Sequence, residues 1–357
     1  MFCPVSQPCC IPFRFASAVL SAGRVSRAGA ARLQCGARRA RWHRLFQKFL
    51  VCLFALVGVV ALFPADALAW GPGVHIAAAN WLLSNTAALS PLAAHLISSH
   101  REAFLYGSLS ADIFIGKGCA VRPGHSHNWE TGLRLWDATR GKRLKAFALG
   151  YLSHLAADIV AHNNYVPAML SAAPGAGKFS HVYIEAQADR MVRWDTRVAV
   201  ELFGTKRTRE ADASLRRATH AERMSFSFKK QMFKSGVALA GGSPWRASLS
   251  LCGHLTPSAQ DPVYLNDMFD ASLRAIVNVL NDPATSPLLV LDPIGETPLR
   301  DAKALCQGRA PLDFRHPFPL RFPLHPLVAA LPELACGQDR VSEARSCSTN
   351  SVFVKTA

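Results

Sequence analysis

Residues 151–162 read YLSHLAADIVAH. They end the stretch from Lys142 to His162, about five turns without Pro and apolar nearly all round, the pattern of a central buried helix. On such a helix His154, Asp158 and His162 fall at i, i+4 and i+8, within about 80° of one another on one face. The two histidines are separated by about 12 Å along the axis, so they cannot readily share one ion. The row suits a cluster with Asp158 at its centre. An ionised carboxylate among Leu, Ala, Ile and Val is expensive to bury unpaired, and a metal is the economical partner. This stretch therefore predicts a helical fold built around a metal site.

Working outward, more residues of the same kind appear. Eight of the thirteen histidines lie between residues 75 and 181. His181 and Glu185 repeat the i, i+4 spacing, His125 and His127 share a loop, and Asp112 follows the turn Gly107-Ser108-Leu109-Ser110-Ala111. A lone histidine on a helix is usually a satisfied polar residue, so the weight rests on the repetition of helical His/acid spacings. There is no HExxH, no adjacent His-Asp pair, no P-loop and no G-x-S-x-G to support another chemistry.

The remaining periodicity is also helical. Helices are expected over His75–Leu83, Leu92–Ser99 (opened by Ser90-Pro91), Ser180–Val200 and Tyr264–Asn281, with a loop over Gly116–Gly124. In the last helix Leu265, Phe269, Ile276 and Leu280 share one face. No run of alternating strands and no internal repeat is found. The fold class is all-α, a multi-helix single domain over 70–285 around the buried metal site; that the site holds several zinc ions is what the family resemblance given below implies. From about Ala284 the pattern decays: six Pro fall within 311–332 and 337–357 are polar, so 286–357 reads as an irregular, poorly ordered tail, either wrapping or loose.

The net charge of +16 suggests a nucleic-acid binder until it is divided. Residues 1–69 hold nine Lys/Arg and one acid, half of the excess. Within them LVCLFALVGVVALF, residues 50–63, follows a basic stretch and precedes Ala67-Leu68-Ala69, the layout of a secretory signal peptide. Spanning a bilayer takes about 20 apolar residues. The chain is thus expected to be exported, periplasmic or secreted, and to begin at Trp70 after cleavage. Five of the ten cysteines lie beyond residue 69, widely spaced and with no CxxC pair, which disfavours a cysteine zinc cluster and leaves any disulfide pairing open.

Cleavage there leaves Trp70-Gly71-Pro72-Gly73-Val74-His75 at the amino terminus. Here the sequence resembles the zinc-dependent phospholipase C family and its relatives, the zinc-dependent single-strand-specific nucleases, from Trp70 to about Arg190. The resemblance implies that the amine and carbonyl of Trp70 bind one zinc of a three-zinc cluster inside a helical domain, with His75 beside them at the nuclease-like spacing. It makes Asp112 a ligand and general base, in a GSLSADI segment where Ala111 replaces the usual Pro. It prefers His127 to His125 through the segment His127-Asn128-Trp129-Glu130. It matches His154 and Asp158 to the HxxxD ligands, with Asp158 bridging. His162 becomes the next ligand, four residues after the Asp rather than six, and His181 and Glu185 the last pair, Glu being the phospholipase-like choice.

The implied activity is phosphodiester hydrolysis by zinc-activated water, most simply a phospholipase C acting on glycerophospholipids. A nuclease or nucleotidase is the rival within the same chemistry. A non-catalytic metal-binding envelope protein is the rival of another class. Between Lys206 and Lys234 lie nine Lys/Arg and three acids. A helix carrying Arg216, Arg217, Arg223, Lys229, Lys230 and Lys234 beside Phe226, Phe228 and Phe233 would suit a membrane surface or nucleic acid, whereas the plainer reading is a solvated face with a core-facing Phe stripe.

Overall fold

The structure is a computed structural model that describes residues 70–114, 125–172, 178–204, 206–220, 223–252, 262–307 and 322–334. The presequence, the 116–124 loop, residues 337–357 and the side chains of the five later cysteines lie outside the described residues. Every element among the described residues is helical. In chain order they are α1 (Pro72–Ser84), α2 (Pro91–Ser99), α3 (Arg101–Ser110), α4 (Trp129–Ala138), α5 (Lys142–Val160), α6 (Val166–Ala172), α7 (Lys178–Met191), α8 (Thr196–Leu202), α9 (Arg209–Ala218), α10 (Arg223–Ala240), α11 (Ser243–Cys252), α12 (Pro262–Asn281), α13 (Glu296–Gln307) and α14 (Pro326–Ala329).

Helix α5 is the axis of the domain, and α3, α12, α4 and α2 pack around it. All residues from Ala146 to Val160 are buried, as a helix apolar on every side requires. The continuous helical run Lys142–Ser171 is long and apolar enough to cross a membrane, yet 89% of its most apolar window is buried inside the domain. Its apolarity is that of a core helix. Helix α12 buries Leu265, Phe269, Ile276 and Leu280 on the face that their spacing predicts.

A close helix crossing lies between α3 and α5. A Cβ on Gly107 would overlap the Phe147 carbonyl oxygen and stand 2.9 Å from the Gly150 Cα, and one on Gly150 would overlap the Phe104 carbonyl oxygen. The two backbones meet only because both positions are glycine. This seam brings the end of α3 against the middle of α5, which sets Asp112 beside His154.

Several expectations need correction. The segment before Asp112 is not a turn. It is the end of α3, followed by a 3₁₀ turn over Ala111–Phe114. The Gly-Ser content that disguises it is accommodated locally: Ser108 and Ser110 donate their hydroxyls back to Leu105 and Tyr106 carbonyls at 2.9 and 2.6 Å. The helix expected over Ser180–Val200 is two helices, α7 and α8. Asp195 caps the second by accepting the Arg197 and Val198 amides. The basic helix is likewise two, α9 and α10, separated at Thr219–His220, where His220 has φ +53.

Packed structure also continues past residue 285. Leu288, Ile294, Leu299, Ala302 and Val328 are buried, and α13 packs against α6. The amphipathic helix ETPLRDAKALCQ was obscured by the Pro-rich sequence after it. Among the described residues, 286–307 and 322–334 thus pack against the domain.

Candidate metal centre

The candidate ligands come from five segments that meet at α5. Helix α1 brings His75, the 3₁₀ turn brings Asp112, and the loop before α4 brings His127. Helix α5 and its continuation bring His154, Asp158 and His162, and α7 brings His181 and Glu185. All eight are at most 4% exposed. Ligand atoms lie within 4.8 Å of one another in three sets: His75, Asp112 and His154; His127, His154 and Asp158; His162, His181 and Glu185.

The first two sets share one core. Asp158 has His154 Nε2 at 3.1 Å, His75 Nε2 at 3.3 Å and His127 Nε2 at 3.4 Å. Asp112 Oδ1 has His127 Nε2 at 3.2 Å and His154 Nε2 at 3.5 Å. The rings of His75 and His154 stack at 3.8 Å, and the Nε2 atoms of His154 and His127 are 3.1 Å apart. In the third set, His181 Nε2 stands 2.8 Å from Glu185 Oε1. His125 lies outside these sets, and its Nδ1 accepts the His127 backbone N–H at 3.1 Å.

Two histidines have their tautomers fixed from behind. His154 Nδ1 donates to the Ser108 carbonyl at 2.9 Å, and His162 Nδ1 donates to the Pro293 carbonyl at 2.6 Å. A carbonyl only accepts, so the Nδ1 atoms carry hydrogen, and in the neutral rings Nε2 presents a lone pair. That outer bond is characteristic of metal-ligating histidine.

His162 reaches its set because α5 passes into a π turn over Ala161–Tyr165, whose wider winding interrupts the α register. The segment read as the start of a tail supports it. Asn163 donates to the Asp292 carbonyl at 2.8 Å, and Gly295, at φ +62, packs against the His162 backbone.

Trp70 is fully buried, its ring 4.6 Å from that of Tyr165, and its Nε1 donates to Ser272 Oγ at 3.2 Å. Sequence reasoning missed Asp189, one turn beyond Glu185, whose Oδ1 accepts the Val74 N–H at 2.9 Å. Its signal was the continuation of the His181/Glu185 row by a further i+4 step. It also missed the carbonyls of Ser108 and Pro293, which leave no trace in side-chain patterns.

The electrostatics are those of a site built for cations. Burial works to raise the Asp158 carboxyl, but His154 and His75 outweigh it and hold it well below the usual carboxylate range. Burial likewise opposes charge on His154, yet Asp158 and Asp112 raise its pKa to about 9. Burial, with His154 beside it, lowers His75. Glu185 is pushed well above its ordinary value by burial and then by Asp112, Asp158 and Asp189. Both oxygens of Asp158, both of Glu185 and Oδ2 of Asp112 are buried without a hydrogen bond of sound geometry. Oxygens so placed, beside histidines turned with Nε2 inward, fit a divalent cation of the zinc type, which takes N and O ligands together.

Beside Glu185 opens a small recess, with Trp194, Trp245, Val182 and Leu249 among its walls and Arg190 and Arg246 contributing charge. It gives Glu185 an approach from solvent that is mostly apolar.

The basic segment divides between the two readings made of it. Phe226 and Phe233 are buried, whereas Phe228 and Met224 are 67% and 85% exposed. Phe226 packs on Phe114 at 5.6 Å, so α10 braces the 3₁₀ turn that carries Asp112. Lys230 is held by Asp212 at 2.7 Å.

Residues 74–233 match the family model described as zinc dependent phospholipase C. No curated protein and no solved structure matches the chain. The matched residues include all eight clustered side chains, from His75 to Glu185, so the buried His/carboxylate centre falls wholly inside the segment that matches the zinc-dependent phospholipase C family.

Proposed function

We propose that this protein is an exported, zinc-dependent phospholipase C that hydrolyses glycerophospholipids on the glycerol side of the phosphate. The observation that carries the reading is the set of buried carboxylate oxygens without hydrogen bonds, ringed by histidines, inside the family-matched segment. Export is proposed from the apolar run at 50–63 and the Ala67-Leu68-Ala69 site before Trp70.

The residues proposed to hold zinc are Trp70 through its freed amino terminus, His75, Asp112, His127, His154, Asp158, His162, His181 and Glu185, with three ions as the expected complement. Bound zinc supplies Lewis-acid charge that polarises a phosphoryl oxygen and acidifies water. The chain supplies the rest. Asp158 stands between three histidines, and its buried oxygens would help to hold the metal. The carbonyls of Ser108 and Pro293 keep the Nε2 atoms of His154 and His162 turned inward. Asp112 shares Oδ1 with His127 and His154, and its Oδ2 is the oxygen left to take a proton from the attacking water. The recess beside Glu185 offers the substrate a largely apolar entry.

The test uses zinc-loaded protein beginning at Trp70 and phosphatidylcholine vesicles. Release of water-soluble phosphate ester that a chelator abolishes, and that Asp112→Asn lowers by about 10²-fold or more, is the expected result. Zinc-dependent melting with no hydrolysis of phospholipid, single-stranded nucleic acid or nucleotide would favour the structural role instead.

A further inference from the structure

We propose that Asp189 is a positioning residue that clamps the Trp70–Val74 segment and so makes the freed amino terminus a usable ligand. The inference rests on the reading of Trp70 as an amino-terminal zinc ligand. Helix α1 starts at Pro72 after Gly71, which has no side chain with which to cap it. Its first-turn amides need an acceptor from elsewhere. Asp189, buried on α7, provides one: Oδ1 accepts the Val74 N–H at 2.9 Å, and the carboxylate also bonds the Gly73 amide. A carboxylate at a helix amino terminus is favoured further by the helix dipole.

The fit leaves no room for side chains. A Cβ on Gly71 would lie 2.5 Å from Asp189 Cγ and 2.6 Å from its Oδ1. One on Gly73 would lie 2.5 Å from Trp194 Nε1 and 2.8 Å from Asp189 Cγ. The segment is therefore gripped between Asp189 and Trp194. Its two ends carry the fully buried Trp70 and His75, the latter 3.3 Å from Asp158. Since α7 also bears His181 and Glu185, one helix holds a ligand pair and, one turn later, the anchor for the amino-terminal ligand. Asp189 touches no reacting atom in this account and acts through the segment it holds.

The test compares zinc per chain in two forms, one beginning at Trp70 and one retaining Ala69, each with wild-type Asp189, Asp189→Ala and Asp189→Asn. With Asp189 present, freeing Trp70 is expected to raise zinc retention by about 10–100-fold in affinity, the range for outer positioning groups. Asp189→Ala should erase that difference while leaving the zinc of the other ligands. Asp189→Asn, whose amide oxygen can still accept from Val74, should restore part of it. A difference that persists in full in Asp189→Ala overturns the proposal. No difference in the wild type overturns the amino-terminal ligand itself, a separate failure. Should Asp189→Ala not fold, Gly73→Ala serves in its place, because it pushes the segment off Asp189 and leaves the carboxylate intact; an undiminished difference there is equally fatal.

Discussion

Replacing Gly150 by Ala puts one methyl group into the seam between α3 and α5. Its carbon would overlap the Phe104 carbonyl oxygen and lie 2.9 Å from the Ser108 nitrogen and 3.0 Å from Gly107 Cα. All three are backbone atoms, so no side chain can rotate away, and the helices must separate. Overpacking of this kind costs about 1–3 kcal/mol and occasionally more. Ala is better than Gly inside a helix by about 1 kcal/mol, which offsets part of the cost. A net loss of about 1 kcal/mol follows, or roughly 2–4 °C in Tm for a domain of this size. The site is affected too, because the bond from His154 Nδ1 to the Ser108 carbonyl crosses the same seam at 2.9 Å. Separation by about 1 Å takes that pair beyond hydrogen-bond range. Zinc affinity should then fall by about 10–100-fold. Denaturant midpoints of the zinc-free protein and competition titration with a zinc indicator read the two effects. Gly132→Ala is the comparison, since its methyl would meet only the Leu152 and Leu155 side-chain ends at 2.9 Å, and it should cost less. If Gly150→Ala proves more stable than wild type with unchanged zinc affinity, the argument from the glycine seam is wrong.

Three further perturbations address other parts of the centre. Asp158→Asn removes the carboxylate that three histidines surround, and phospholipid hydrolysis should drop to background together with zinc content measured by elemental analysis. Gly295→Ala forces a side chain into φ +62, with its Cβ 2.6 Å from His162 Cβ, and should destabilise by about 1–3 kcal/mol in chemical denaturation while weakening zinc retention. Burial pushes the Asp189 carboxyl up to about 7, against the bonds it accepts from Gly73 and Val74. A carboxyl raised on folding binds protons that the unfolded chain has lost, so its stabilising contribution is fullest below the unfolded value of about 3.9 and is lost as pH rises through about 7. Asp189→Asn lacks this loss. Relative to wild type, the zinc-free variant should therefore gain stability between pH 5 and pH 8 in urea denaturation, and a constant difference would count against the assignment.

Much of this centre is written in side-chain spacing. His154 and Asp158 stand on one face of α5 because 3.6 residues make a turn, and His181 and Glu185 do so on α7 for the same reason. Asp158 drew notice because it interrupts an apolar run. What spacing does not encode is backbone. The α3 helix was missed because Gly107, Ser108 and Ser110 are weak helix formers, although Gly107 is there to let α5 approach and the serines bond back to their own helix. The Pro293 carbonyl that orients His162 lies 131 residues away in a region with no periodic signal. The break at Asp195 is a local cap overriding an otherwise continuous helical pattern. Asp189 escaped because its partners are amides, which every sequence has. Resemblance to the phospholipase C family carried the ligand set further than spacing alone, and the geometry brings eight of the nine proposed ligand residues into three buried groups.

Zinc per chain, measured by elemental analysis on the form beginning at Trp70 after removal of loosely bound metal, tests the central claim most directly. Three zinc ions per chain are predicted, falling when His154 and His181 are each replaced by Ala. Less than one ion per chain in folded protein offered excess zinc, or a content indifferent to both substitutions, would contradict it.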